Sequence, residues 1–273
     1  MIPFFNLHSD EILYSGISRC IYHNKIPKSE CNKIFSKKVT HPLFPCGIDS
    51  CDILKSFQLS TIVIINNYTL YPYFAALAED HLASKIYQRM LMGHFHDKIG
   101  TILNLCPACA QIDQKTYGEA YWHRVHQIPL ISHCVKHHNR LLSISAIDNF
   151  PDSGKLISCE QAIQKASLRP AFQYLNIDMQ EKIAQSLTQN YAQQKIELLN
   201  QLRERGYSVK RNGFEVMRLA LLHRFKLYLE EIGIEQMCVS FIINASRSNF
   251  NDYLNPFTLP AFLLVHQFIK QEC

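Results

Sequence analysis

Two short ligand pairs, Cys106-Pro107-Ala108-Cys109 and Cys134-Val135-Lys136-His137, constrain this chain more than any other feature. Zinc takes nitrogen and sulfur ligands in a tetrahedron, and residues spaced by two supply adjacent corners. Two such pairs at ribbon-like separation predict one closed, structural zinc site with Cys106, Cys109, Cys134 and His137 as ligands. A Cys-x-x-Cys pair alone is also a redox motif, but no βαβ pattern surrounds this one. A rival ligand set is present. His123 and His126 follow Cys109, although their mutual spacing is one residue shorter than a finger uses, and His133 and His138 lie near. The first set is favoured because a thiolate binds zinc more strongly than a neighbouring imidazole, and the rival leaves Cys134 unused. His123 and His126 then read as space-filling rings hydrogen-bonded within the fold.

A site closed by four protein ligands leaves no corner for a substrate or a water. A zinc deaminase carries His-x-Glu and then Pro-Cys-x-x-Cys, whereas here no histidine has glutamate two residues on and Leu105 precedes Cys106. No phosphate-cradling glycine loop and no Gly-x-Ser-x-Gly elbow occur. The sequence nominates no catalytic residue. It reads as a recognition protein, with a zinc-dependent enzyme as the competing class.

Composition narrows the setting. Ten cysteines are many for 273 residues, but the start Met-Ile-Pro-Phe-Phe lacks the basic and apolar regions of a secretory signal. Reduced thiols and a cytoplasmic location are therefore expected. Cys20, Cys31, Cys159, Cys238 and Cys273 are isolated and read as small buried hydrophobes, while Cys46 and Cys51 are close but lack a further ligand pair. No run approaches the ~18 apolar residues of a membrane span. Nearly half of the residues are hydrophobic and the net charge is only +5, so a real core forms and nucleic acid is a compatible partner, not a required one.

The pattern is mainly α. A helix is predicted over 9–22, capped by Ser9 with Asp10 and Glu11 in its first turn, and another over 29–36. Pro42, Pro45 and Gly47 mark a loop. The run Thr61–Ile65 favours a strand on propensity, but its surroundings are helical and 53–66 is read as helix. A longer helix is expected over 73–97, with Leu77, Leu82, Ile86 and Met90 inward. Short strands, notably Leu141–Ile144, accompany the zinc segment, and 146–158 reads as a linker. Helices are predicted over 179–205, stopped by Gly206, over 214–231, ended near Gly233, and over 261–270 after the loop at Pro256 and Pro260. The expected organisation is an N-terminal helical domain over 1–100, a zinc-binding module over 101–145 and a C-terminal helical domain over 155–273.

Several segments together resemble the TniQ/TnsD family of transposon target-selection proteins. They are Ser9-Asp10-Glu11-Ile12-Leu13-Tyr14-Ser15, Tyr68-Thr69-Leu70-Tyr71-Pro72-Tyr73, Cys106-Pro107-x-Cys109, Tyr117-Gly118-Glu119-x-Tyr121-Trp122-His123-Arg124, His126-Gln127-x-Pro129 and Cys134-x-x-His137. Each is short, but their order over roughly residues 3–142 is specific. Val135 and Leu130 stand where members of that family often have Pro and Gly. The resemblance implies a helix-turn-helix-type N-terminal domain and a non-catalytic adaptor that marks a DNA target and recruits an AAA+ ATPase regulator. Double-stranded DNA and that ATPase are the implied partners, a CRISPR RNA-guided complex is an alternative one, and self-association is compatible with the sequence.

A basic cluster, Arg203, Arg205, Lys210 and Arg211, followed by Arg218, Arg224 and Lys226, flanks the expected turn between two C-terminal helices. It is the candidate contact to DNA phosphates, whose signature is salt-sensitive affinity. The bland reading is a solvated helix end with Glu204 and Glu215 as partners.

Overall fold

A computed structural model describes residues 6–27, 30, 58–92, 102–145, 156–165, 168–211, 214–247, 250–252 and 255–271. All but residue 30 of the expected helix over 29–36, the loop at Pro42 to Gly47 and Cys31, Cys46, Cys51 and Cys273 lie outside the described residues, as does most of the expected linker. In chain order the helices are α1 Leu13–His23, α2 Thr61–Tyr68, α3 Tyr71–Ala75, α4 Asp80–Met92, α5 Pro107–Tyr117, α6 Cys159–Lys165, α7 Ile177–Ala184, α8 Ala192–Glu204, α9 Leu219–Glu231, α10 Gln236–Arg247 and α11 Thr258–Gln271. The strands are β1 Ile102–Leu105, β2 Leu142–Ser145, β3 Arg169–Pro170, β4 Ser208–Arg211 and β5 Phe214–Met217. The fold is mainly helical, as the sequence predicts. No described helix is long and apolar enough to cross a membrane.

The chain forms two compact units, Met1–Tyr71 with Ser84–Gln173, and Pro72–Ala83 with Tyr174–Cys273. In the first, β1, β2 and β3 form one antiparallel sheet in the order β1-β2-β3, with Leu103 opposite Ile144 and Leu105 opposite Leu142. Helix α1 is buried on every side from Leu13 to Cys20. Its small residues Ser15, Gly16 and Ser18 admit close neighbours: Ser15 Oγ accepts from Trp122 N at 2.9 Å. The helix starts later than its sequence pattern suggests. Ser9 does not cap it; Asp10 takes φ 59° and Glu11 pairs in a bridge with His123, so this stretch is a strap across the segment that carries His123. In α2 the β-branched run is helical because Ser60 Oγ accepts from Val63 N and tertiary packing buries Ile64 and Ile65.

The second unit is built on α7 to α11. Phe225, Tyr228 and Phe268 meet at centroid distances of 5.2–6.3 Å, and Phe250 packs edge-on to Phe262. Two helices expected to be long are broken here. Over 73–97, α3 and α4 are separated by 76–79, where the Ala76 carbonyl accepts from Tyr191 N at 2.6 Å instead of continuing a helix. Over 179–205, α7 passes into a 3-10 turn at Gln185–Leu187, and the next helix starts after the same Tyr191 bond, with Asn190 Oδ1 accepting from Ala192 N at 2.7 Å. Residues Phe214–Met217, expected to open a helix, are a strand paired with Ser208–Arg211. Pro260, expected before the last helix, sits in its first turn, where a missing N–H costs nothing.

Candidate metal centre

Strand β1 delivers Cys106 to the N-terminus of α5. Cys106 is the extended N-cap residue, Pro107 fixes the first helical position, and Cys109 follows one turn in. A helix N-terminus favours negative charge, which suits thiolates. The second pair comes from a tight turn. Cys134 N donates to Asn139 O at 2.9 Å, His138 N donates to Cys134 O at 2.7 Å, and His138 takes φ 54°. Leu141 N then donates to Ser132 O at 2.8 Å, leading into β2.

These elements bring Cys106, Cys109, Cys134 and His137 together, with their ligand atoms all within 4.8 Å of one another. Cys109 Sγ lies 3.7 Å from Cys134 Sγ, and His137 Nδ1 lies 3.6, 3.3 and 3.6 Å from the sulfurs of Cys106, Cys109 and Cys134. A zinc tetrahedron with bonds of ~2.3 Å to sulfur and ~2.0 Å to nitrogen has edges of ~3.8 Å between sulfurs and ~3.6 Å from sulfur to nitrogen. The Cys109–Cys134 edge and the three edges to His137 lie within about 0.3 Å of those lengths, and the Cys109 and Cys134 sulfurs are far beyond the ~2.05 Å of a disulfide. This donor set, three thiols and an imidazole, can hold a metal ion. Hydrogen bonds from Cys109 and Cys134 pull the Cys106 thiol well down, while the same contacts with Cys106 and Cys134, followed by burial, push the Cys109 thiol up. A metal cation relieves that conflict.

The rival histidines are not among the four clustered ligands. His123 is held between two carboxylates, Nε2 at 2.9 Å from Asp113 Oδ2 and Nδ1 at 3.4 Å from Asp10 Oδ2. His126 Nε2 faces Cys109 Sγ at 4.0 Å, and burial depresses its pKa. His133 bonds Ser132, with Nδ1 at 3.1 Å from Ser132 Oγ.

The Tyr117-to-Arg124 segment is a clasp between the cluster and the N-terminal strap. Gly118 ends α5 in the left-handed region at φ 81°. Glu119 pairs with Arg19 and His23. Arg19, only 1% exposed, also grips Glu11 in a bidentate pair at 2.8 and 2.9 Å. Burial disfavours its charge, but the two carboxylates outweigh that and raise its pKa. Tyr121 donates to Ser9 O at 3.0 Å, and Trp122 Nε1 donates to Ile157 O at 2.8 Å. Arg124 N donates to Asp10 O at 2.6 Å, and its guanidinium reaches Asn66 O at 2.6 Å. Gln127 bonds both the N–H and the carbonyl of Asn104 on β1. Leu130 takes φ 70° after Pro129, with Ile131 N donating to Ile128 O at 3.2 Å. A type II turn demands that conformation at this position, where Gly fits best.

Two expected outcomes follow from this clasp. Gly118→Ala meets open space but a strained backbone, so it lowers unfolding free energy by about 1 kcal/mol in urea titration. The second concerns pH. Burial opposes charge on His123, yet hydrogen bonds to Asp10 and Asp113 raise its pKa from 6.5 to about 9. The folded state then binds the proton more tightly than the unfolded one. The stabilisation is complete below pH 6.5 and is lost as pH rises through about 9. Its size is on the order of 3 kcal/mol. Thermal melts between pH 6 and 10 show a fall in the wild type that His123→Gln lacks.

The predicted DNA-facing residues are spread over three elements of the second unit. Arg203 lies in the last turn of α8 and Arg205 caps it; both are exposed. Lys210 and Arg211 lie on β4, where a β-hairpin replaces the expected turn between helices. Arg218 caps α9, and Lys226 pairs with Glu230 at 3.7 Å. Sequence reasoning did not single out Asp113, nor the grip of Arg19 on Glu11 and Glu119. A lone arginine amid the apolar run of α1 was their only local signal.

Comparison with known proteins places this arrangement. The Transposon Tn7 transposition protein TnsD of Escherichia coli is 24% identical over 160 residues, which cover 52% of this chain and 32% of that protein. The matched stretch is thus about a third of the relative's length. A family model for TniQ matches residues 3–141, which contain the strap, the clasp and all four clustered ligands. The chain belongs to the TniQ family.

Proposed function

We propose that this protein is a non-catalytic target-selection adaptor of DNA transposition. It marks a target site on double-stranded DNA and recruits an AAA+ ATPase regulator, and through it the transposase. The observation that carries this reading is the TniQ match across residues 3–141, supported by a relative named for transposition. One structural zinc ion, held by Cys106, Cys109, Cys134 and His137, rigidifies the clasped unit as a docking piece. The closed fourfold donor set supports a structural metal over a catalytic one.

Arg203, Arg205, Lys210 and Arg211 are the proposed phosphate contacts. Gel-shift titration at two salt concentrations tests this. Wild-type affinity for duplex DNA falls steeply with salt, and R203A/R205A reduces the log–log salt slope by about 2, roughly one unit per phosphate contact. Co-purification with the ATPase regulator tests the second half. No salt-sensitive DNA binding in the wild type contradicts direct marking, and favours a subunit docked on a CRISPR RNA-guided complex.

A further inference from the structure

His126 is outside the four-ligand cluster, yet it is only 1% exposed. Its Nε2 faces Cys109 Sγ at 4.0 Å, and its Nδ1 has no hydrogen-bond partner. The ring also meets that of His123 at a centroid distance of 5.0 Å. A buried neutral imidazole keeps its proton on the nitrogen that finds an acceptor. Among the described residues, that acceptor is sulfur. Zinc held by three thiolates and a neutral imidazole carries a net charge of about −1, which is costly to bury unless donors point at it. Cys106, at the helix N-terminus, receives the backbone N–H groups of Ala108 and Cys109. Cys109 and Cys134 face His126 instead.

We propose that His126 is a positioning residue of the metal centre: its Nε2–H donates to the Cys109 thiolate and sets how tightly the centre keeps its metal. This rests on the zinc site given under Proposed function. Orientation of ligands by such neighbours typically changes metal affinity 10–100-fold. The hydrogen bond draws charge from sulfur, so its loss makes the thiolate easier to oxidise and more exposed to exchange.

The test uses the full chain and two variants. H126F keeps the volume and removes the donor; H126Q keeps an amide N–H near the position of Nε2. On transfer of zinc to an excess of chelator, H126F releases metal about 10-fold faster or more, and H126Q stays close to the wild type. In the cobalt-substituted protein the sulfur-to-cobalt charge-transfer band moves to lower energy in H126F. Equal release rates with an unmoved band overturn the proposal. So does a cobalt spectrum showing that H126F has lost a ligand, since His126 would then bind the metal itself. Should H126F fail to fold, the cadmium-113-substituted wild type decides. Scalar coupling between the metal and the His126 Nε2–H supports the proposal, and its absence overturns it. A wild type that takes up none of the three metals refutes the metal site itself, a different result from any of these.

Discussion

Cys134→Ser is expected to unfold the clasped unit, not merely to loosen it. A structural zinc site supplies about 10–16 kcal/mol of apparent free energy to folding, against a whole-domain stability of about 5–15 kcal/mol. Cys134 is 1% exposed and its sulfur lies within 3.7 Å of both Cys109 Sγ and His137 Nδ1. Serine offers a harder, weaker donor there, and the remaining thiolates are left crowded without their cation. The local backbone offers little in compensation. The turn that carries Cys134 and His137 is held by a few hydrogen bonds and a left-handed His138. Far-UV circular dichroism and zinc content, measured on the same sample, are expected to fall together in this variant.

Arg19→Met is expected to cost about 3–5 kcal/mol, the penalty for leaving a buried carboxylate without its counter-charge. Glu11 is 0% exposed and has Arg19 as its bidentate partner. The same guanidinium holds Glu119 and the Asn6 carbonyl, so its loss removes one joint shared by the strap, α1 and the clasp. Arg19→Lys is expected to recover only part of that loss, since an ammonium cannot fork to two carboxylates. Equilibrium urea unfolding of the three proteins measures both effects. A Met variant within about 1 kcal/mol of the wild type would show that the pair contributes little.

The gathering of Cys106, Cys109, Cys134 and His137 was legible in the sequence because ligand spacing is a local property. Residues three apart meet where the chain turns through one helical or turn-like step, as it does at both pairs, and the cluster joins just two such pairs. The clasp was half legible. Tyr117 to Arg124 stood out as a motif, but its partners Asp10, Glu11 and Arg19 lie about a hundred residues earlier, where ordinary helix-start rules misassigned the first two. Asp10 and Glu11 look like first-turn acids, yet long-range pairing takes them out of the helix. The broken helices failed for a related reason. Nothing near Ala76 announces that Tyr191 N will claim its carbonyl. The β4–β5 hairpin is different, since its signal was present. Asn212-Gly213 between Val209 and Val216 is a strong short-range hairpin mark, and the helical pattern of the following residues masked it.

Trp122, the single tryptophan, reports on the central claim directly. It is fully buried in the clasped unit, with its indole N–H on the Ile157 carbonyl at 2.8 Å. Its emission should be followed while a strong chelator removes the metal, and again as zinc is returned. A metal-stapled fold gives a red shift on removal and recovery with one equivalent of zinc. An emission that stays blue in the metal-free chain would contradict the account, because the unit would then hold its shape without the ion.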